Sequence, residues 1–114
     1  MEQSRVYGRI HFLRELGQVD KTTRKLMIRY MTMEQMEALA EVVHFIVNGS
    51  IRVHHRDLTH LRERSLVLRQ IVDPRISLRR KRNTILIYDE IIPRLLRSQY
   101  LNRALVLSIR TIEQ

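Results

Sequence analysis

Apolar residues recur at intervals of three and four along nearly the whole chain, with charged residues between them. This spacing places apolar side chains on one face of an α-helix, whereas a half-buried strand would show strict alternation. Val6, Ile10, Leu13 and Leu16 form the first such stripe, and the last third of the chain repeats it. The pattern predicts an all-α protein, a compact bundle of five to six helices.

Three residues with the side-chain type that caps a helix N-terminus stand directly before a predicted helix, namely Asp20, Thr32 and Ser77. Their oxygen atoms can accept a hydrogen bond from a backbone N–H of the first turn. Thr32 is followed three residues later by Gln35, which is the spacing of a capping box. We therefore predict that a helix begins directly after each of the three caps.

Glycine and proline mark the predicted helix ends. Gly17 and the pair Asn48-Gly49 favour the left-handed conformation that closes a helix. The residue before Pro74 avoids the α region, so a helix stops there. Pro93 fits best in a first turn, which predicts a break shortly before it, with one kinked helix as the alternative. The predicted helices span residues 4–16, 21–31, 33–47, 55–72, 78–88 and about 92–112.

The helix predicted for residues 33–47 is the most apolar, and we expect it at the centre of the bundle. Glu34, Glu37 and Glu41 lie on its outer face, at positions i, i+3 and i+7. In the preceding helix we expect one set of residues to face inward (Leu26, Met27, Tyr30, Met31) and another to face outward (Lys21, Arg24, Lys25, Arg29).

The length of 114 residues predicts one domain, residues 1–114. The chain has no cysteine, which excludes a disulfide framework, thiolate zinc sites and a cysteine nucleophile. No segment resembles a signal peptide, and no apolar run reaches the ~18 residues that a membrane span requires. We expect an intracellular protein, for which a nucleus or a virion would both fit.

The chain is strongly basic, with a formal net charge of +9 and an isoelectric point of about 11.0. Such an excess attracts polyanions. Lys21, Lys25 and Lys81 are the only lysines among 21 cations, so arginine supplies most of the charge. Because the guanidinium fork pairs with phosphate and stacks on bases, nucleic acid is the expected partner, and an anionic membrane or an acidic protein is the alternative.

Residues 51–82 hold 10 cations against 3 anions and are the predicted binding region. Four consecutive cations, residues 79–82, lie at the start of a predicted helix in this region. Positive charge is unfavourable there because it opposes the helix macrodipole, at a cost of about 0.3–1 kcal/mol for each cation. Phosphate contact explains that placement best; a nuclear-import signal and plain solvation are the alternatives. The predicted contacts are Arg52, Arg56, Arg62, Arg64, Arg69, Arg75, Arg79, Arg80, Lys81 and Arg82.

The expected binding follows the nucleic-acid backbone and has weak sequence selectivity. The sequence contains no strong helix-turn-helix signature, no zinc finger and no aromatic residues interleaved with the cations. His54, His55 and His60 lie close to Asp57, but their spacing favours capping or surface histidines over metal ligands. We predict no catalytic residues, no cofactor, no metal and no small-molecule substrate.

A helical interaction module is the alternative function. In that case the acidic face of Glu34, Glu37 and Glu41 would bind the basic helices of another copy or of a partner. Opposite faces on one domain suit head-to-tail assembly into rings or filaments. A death-domain-like adaptor would also fit a bundle of this size, by analogy of fold alone.

The order of features from the third predicted helix onward resembles a known group of proteins. A helix ends at Gly49, a short extended step covers residues 50–53, and a leucine-rich basic helix follows. Ser77 then precedes the cation cluster of residues 79–82 and an apolar segment with Pro93. This order is similar to that of the small basic helical proteins of Maverick/Polinton elements and adintovirus-like viruses. The resemblance spans about residues 10–97 and implies a virion or DNA-associated role for residues 79–82.

Overall fold

The computed structural model describes the backbone of residues 5–113 and the side chains of residues 5–110. Within that range the chain forms nine α-helices and no strand, which confirms the all-α class. The predicted start at Ser4 lies outside the described residues. The helices are α1 Arg5–Gly8, α2 Ile10–Gln18, α3 Lys21–Arg29, α4 Met33–Val47, α5 His55–Glu63, α6 Ser65–Val72, α7 Leu78–Ile87, α8 Ile91–Leu95 and α9 Ser98–Glu113.

The helix ends that were predicted from capping chemistry are confirmed. Asp20 and Ser77 each accept a hydrogen bond from the backbone N–H three residues ahead, at 3.1 and 3.2 Å. Thr32 and Gln35 bond each other's backbone N–H at 3.2 and 2.9 Å, which completes the capping box. Gly49 adopts a φ of 82° directly after α4. Local side-chain chemistry therefore fixes where α3, α4 and α7 begin.

Three predicted helices are interrupted, which raises the number of helices from the expected six to nine in the described range. The interruptions fall at Arg9, Arg64 and Leu96, with φ of −128°, −114° and −108° and ψ between 21° and 28°. None of the three is a glycine or proline. At each break the apolar residues on both sides point toward the same core. At the break after α8, for example, both Leu95 and Leu96 are buried.

Helix α4 lies at the centre of the bundle, as predicted, and packs against α1, α2, α6 and α9. The helix matches its predicted limits of residues 33–47. Val47, which was placed in its apolar stripe, is exposed because the helix ends there. Its buried side chains are Met36, Ala38, Leu39, Val42, Val43 and Ile46.

The two faces predicted for α3 are partly wrong. Arg24 faces the interior and is 9% exposed, whereas Leu26 and Tyr30 are 51% and 76% exposed. The buried stripe is Arg24, Ile28 and Met31. The reason is that the carboxylate of Asp89 lies beneath Arg24 and compensates its charge.

Gly17 does not end a helix, contrary to the prediction. It lies inside α2, which continues to Gln18. A Cβ atom at this position would lie 2.8 Å from the Cβ of Leu96 and 3.1 Å from its carbonyl oxygen. Gly17 therefore serves close packing between α2 and the turn that follows α8, since any side chain would collide with atoms that cannot rotate away.

Replacing Gly17 by valine is expected to lower the free energy of unfolding by about 1–3 kcal/mol, because the added carbons force α2 away from Leu96. Urea denaturation measures this loss. Gln18→Val is the matched control: Gln18 is exposed in the same helix, so it tests the helix propensity of valine without the collision. Equal losses in the two variants would contradict the packing role of Gly17.

Candidate functional site

The ten cations predicted to bind nucleic acid divide into two groups in the structure. Six of them are exposed and make no side-chain hydrogen bond or ion pair within the described part of the chain. Their guanidinium groups are therefore available to a ligand. The six are Arg52, Arg56, Arg62, Arg69, Arg79 and Arg80.

The cation cluster of residues 79–82 is split between the surface and the interior. Lys81 is only 9% exposed and shares the buried face of α7 with Ile85, one turn later. Burial lowers the pKa of Lys81, and the charges of Asp73 and Glu37 oppose that shift. Arg82 donates from Nε to the carbonyl oxygen of Met31 at 2.8 Å. Of the four cations in the cluster, only Arg79 and Arg80 thus face solvent with no side-chain partner in the part of the chain that the structure describes.

Two further predicted contacts are held by carboxylates. Arg64 donates from Nε to Glu90 at 3.0 Å, and its guanidinium carbon lies 5.0 Å from the centre of the Tyr88 ring. Arg75 binds both carboxylate oxygens of Asp73 at 3.1 and 3.0 Å. These hydrogen bonds lower the pKa of Asp73 to about 2. Arg64 and Arg75 would have to leave these partners before they could bind phosphate in full.

The acidic face of α4 is also partly occupied. Glu37 lies 3.5 Å from Nε of Arg5, and Glu41 accepts a hydrogen bond from the hydroxyl of Ser108. Glu34 is exposed and has no side-chain partner among the described residues. Two of the three glutamates predicted to bind another protein are therefore paired within the chain.

An open cleft of about 750 Å³ lies where α5, α8 and the start of α9 meet. Thr59 and Gln99 contribute neutral polar groups to its wall, and Asp57 is the only acidic residue among the described residues that line it. The remaining lining residues are basic: Arg56, Arg94 and Arg97, together with His54, His55 and His60.

Asp57 is buried at the base of this cleft and binds two of the arginines. Its Oδ2 accepts from Nε of Arg97 and its Oδ1 from Nη2, at 2.6 and 2.8 Å. Nη1 of Arg94 donates to Oδ1 at 3.2 Å. The bonds from Arg97, followed by those from Tyr100 and Arg94, lower the pKa of Asp57 to about 2, against the effect of burial. Asp57 therefore holds the two guanidinium groups in fixed positions.

Tyr100 connects this carboxylate to the beginning of α5. Its hydroxyl donates to Asp57 at 2.6 Å and accepts from the backbone N–H of His54 at 2.8 Å. Burial and the bond to Asp57 raise the pKa of Tyr100. Nδ1 of His54 accepts from the backbone N–H of Arg56 at 3.3 Å, which confirms His54 as a capping residue.

Arg94, Arg97 and Tyr100 were not predicted as site residues. Their partner Asp57 lies at least 37 residues earlier in the chain, so no local pattern connects them. One signal was present: Asp57 stands one turn before Leu61, in the buried stripe of α5. A carboxylate in an apolar stripe needs a buried partner, and arginine is the usual one.

Comparisons with protein-family models, with curated proteins and with solved structures found no match to this chain. The resemblance to proteins of Maverick/Polinton elements therefore stays a prediction. Among the described residues, no helix has the length and apolar character needed to cross a membrane. In the same range, no three histidine or acidic side chains lie together as a set of metal ligands.

Proposed function

We propose that this protein is a non-enzymatic nucleic-acid-binding protein that contacts the phosphate backbone with weak sequence selectivity. The observation that carries the proposal is the set of six exposed arginines between residues 52 and 80 whose side chains have no partner among the described residues. Of the three acidic residues in residues 51–82, Asp57 and Asp73 are paired with arginines, so they offset little of the exposed charge. The third, Glu63, is exposed and offsets one of the six positive charges. Phosphate contacts by arginine supply affinity without reading the base sequence.

Arg79 and Arg80 are the strongest candidates within this set. They lie in the first turn of α7, where no acidic residue balances them. A cation in that position is unfavourable in the free protein and becomes favourable when a phosphate approaches, because the helix N-terminus also attracts anions. The preference for DNA over RNA, and an association with a virion, rest on the resemblance alone.

Binding of a random-sequence duplex, followed by fluorescence anisotropy, is expected to weaken steeply with salt. Six phosphate contacts predict a slope of about −5 in a plot of log affinity against log salt. The double variant Arg79→Ala/Arg80→Ala should bind more weakly and make the slope shallower by about 2. Parallel titrations with duplex RNA and with a second DNA sequence test the partner and the selectivity.

Arg103→Ala/Arg110→Ala is the matched control, since it removes the same charge from two exposed positions on α9. Its salt slope should stay close to that of the wild type. If the control variant lowers affinity and slope as much as the α7 variant, binding follows net charge and residues 52–80 form no interface. Absence of binding at low salt would reject the function itself.

A further inference from the structure

The basic cleft between α5, α8 and the start of α9 differs from the rest of the charged surface in being built around a buried residue. The six exposed arginines that have no side-chain partner in the described range are free to move, whereas Arg94 and Arg97 are fixed by the buried carboxylate of Asp57. Fixed donors lose less entropy when a ligand binds, which favours a defined site over diffuse attraction.

The fixed arginines keep unused hydrogen-bond donors. Asp57 takes Nε and Nη2 of Arg97 and Nη1 of Arg94. Within the described residues, Nη1 of Arg97 and both Nε and Nη2 of Arg94 make no hydrogen bond. The two side chains are 43% and 30% exposed, so a ligand in the cleft can reach them.

The other lining residues add further hydrogen-bond donors to the cleft. Arg56 is exposed and its side chain is unpaired in the described range. His54 uses Nδ1 as an acceptor, so Nε2 is the nitrogen that bears its proton. His55 and His60 are exposed, and Gln99 has an amide. The single carboxylate is already bound by two arginines and a tyrosine, which leaves the cleft with an excess of positive charge.

We propose that this cleft is a binding site for a terminal phosphate group, either a phosphate monoester or a short polyphosphate chain. A phosphate monoester presents three acceptor oxygens and up to two negative charges, which matches several converging arginines. A carboxylate offers two oxygens and one charge, and would leave most of these donors unused. An internal phosphodiester likewise has one charge, so the cleft suits a strand end or a nucleotide better than a backbone phosphate.

Isothermal titration calorimetry with inorganic tripolyphosphate tests the site directly. Arg56→Ala removes a donor of the cleft, and Arg62→Ala removes an exposed arginine of the same helix that does not line it. We expect Arg56→Ala to weaken tripolyphosphate binding about tenfold, as for loss of one charge-assisted hydrogen bond. Arg62→Ala should change it by no more than about twofold, as for a distant surface charge.

A second variant, Gln99→Glu, separates binding from folding. Gln99 is exposed in the first turn of α9, where a glutamate is favourable for the helix. The variant should therefore unfold at the temperature of the wild type or above it. Its new negative charge in the cleft should nevertheless weaken tripolyphosphate binding by about tenfold or more.

Two further comparisons identify the source of the phosphate. A single strand with a 5′-phosphate is compared with the same strand ending in a 5′-hydroxyl, and a nucleoside triphosphate with its nucleoside. If the phosphorylated strand binds more tightly than the hydroxyl strand, and Gln99→Glu abolishes that difference in affinity, the ligand is a strand end. If only the nucleoside triphosphate binds more tightly than its unphosphorylated counterpart, the ligand is a free nucleotide.

The proposal is overturned if tripolyphosphate does not bind, or if Arg62→Ala weakens tripolyphosphate binding as much as Arg56→Ala does. It is also overturned if Gln99→Glu leaves binding unchanged. These failures are distinct from failure of the nucleic-acid proposal, because that test uses Arg79 and Arg80, which lie outside the cleft. A protein that binds duplex DNA but no tripolyphosphate would keep the first function and lose this site.

Discussion

Replacing Asp89 by alanine is expected to lower the free energy of unfolding by about 3–5 kcal/mol, because it leaves a buried guanidinium without its counter-ion. The side chains of Arg24 and Asp89 are only 10% and 6% exposed. Nε and Nη2 of Arg24 both donate to Oδ2 of the carboxylate, at 3.1 and 3.0 Å. Without Asp89, the arginine must stay buried unpaired or move out and open the core.

The surrounding groups cannot replace the carboxylate. Among the described residues, Arg24 has one other acceptor, the carbonyl oxygen of Val19, at 3.4 Å from Nη1. Lys25 lies 3.4 Å from Oδ1 of Asp89 and donates to the carbonyl oxygen of Leu86 at 2.9 Å. Loss of the anion would thus leave two cations close together, and their repulsion adds to the loss of the hydrogen bonds.

Glu90→Ala is the matched control, since Glu90 is the next residue and also binds an arginine. That pair with Arg64 is exposed, with side-chain exposures of 55% and 39%, and such pairs contribute about 0–1 kcal/mol. Urea denaturation of both variants gives the comparison. A loss from Asp89→Ala that is no larger than the loss from Glu90→Ala would contradict the buried role of Asp89.

The sequence predicted well wherever a single residue type determines local geometry. Asp20, Thr32 and Ser77 cap helices because their side chains reach backbone groups only three residues away. Pro93 lies in the first turn of α8, as expected, because its missing N–H would have no acceptor there. Such contacts need no knowledge of the tertiary structure.

The sequence predicted poorly where a charged residue belongs to the core. Arg24, Asp57 and Lys81 are buried, and each stands one turn before a buried aliphatic residue of the same helix. The charges of Arg24 and Lys81 suggested outward positions, and the partners of Arg24 and Asp57 lie at least 37 residues away along the chain. A charge in register with an apolar stripe is the local signal, but it cannot identify the partner.

The same limit explains the candidate site. A cluster of four cations in sequence was expected to act as one surface, yet helical geometry turns Arg79 and Arg80 outward and Lys81 inward. The basic cleft was not expected, because it combines Arg56 and the histidines of α5 and its N-cap with Arg94 of α8 and Arg97 of the turn that follows α8. Charge counted along the chain locates a basic region, whereas only the packing of helices shows which charges converge.

Replacing Asp57 by asparagine is expected to lower the free energy of unfolding by about 2–4 kcal/mol at neutral pH. Each carboxylate oxygen of Asp57 accepts two hydrogen bonds, from Arg94 and Arg97 at Oδ1 and from Arg97 and Tyr100 at Oδ2. Asparagine offers one acceptor oxygen and one NH₂ group. An NH₂ group at the Oδ1 position would face two guanidinium donors, and one at the Oδ2 position would face the Nε donor of Arg97, while the Tyr100 hydroxyl could turn to accept from it. In both orientations the negative charge is lost.

Asp57→Asn should also change how the free energy of unfolding depends on pH. The pKa of Asp57 falls from 3.8 to about 2 in the folded protein, mainly through the hydrogen bonds from Arg97. A carboxylate with a lowered folded pKa stabilises the protein above its unfolded pKa and loses that effect as pH falls through the folded pKa. Stability of the wild type should thus decrease between about pH 4 and pH 2, and the decrease should be smaller in Asp57→Asn.

Asp73→Asn is the control that shows whether the loss of stability in Asp57→Asn comes from the burial of Asp57 or merely from its lowered pKa. The pKa of Asp73 is also lowered to about 2, by hydrogen bonds from Arg75, but the arginine is 88% exposed. Because water can replace that partner, Asp73→Asn should destabilise the protein much less than Asp57→Asn at neutral pH. Equal losses in urea denaturation would mean that the carboxylate of Asp57 is readily hydrated, and the bonds that fix Arg94 and Arg97 at the cleft would then add little to stability.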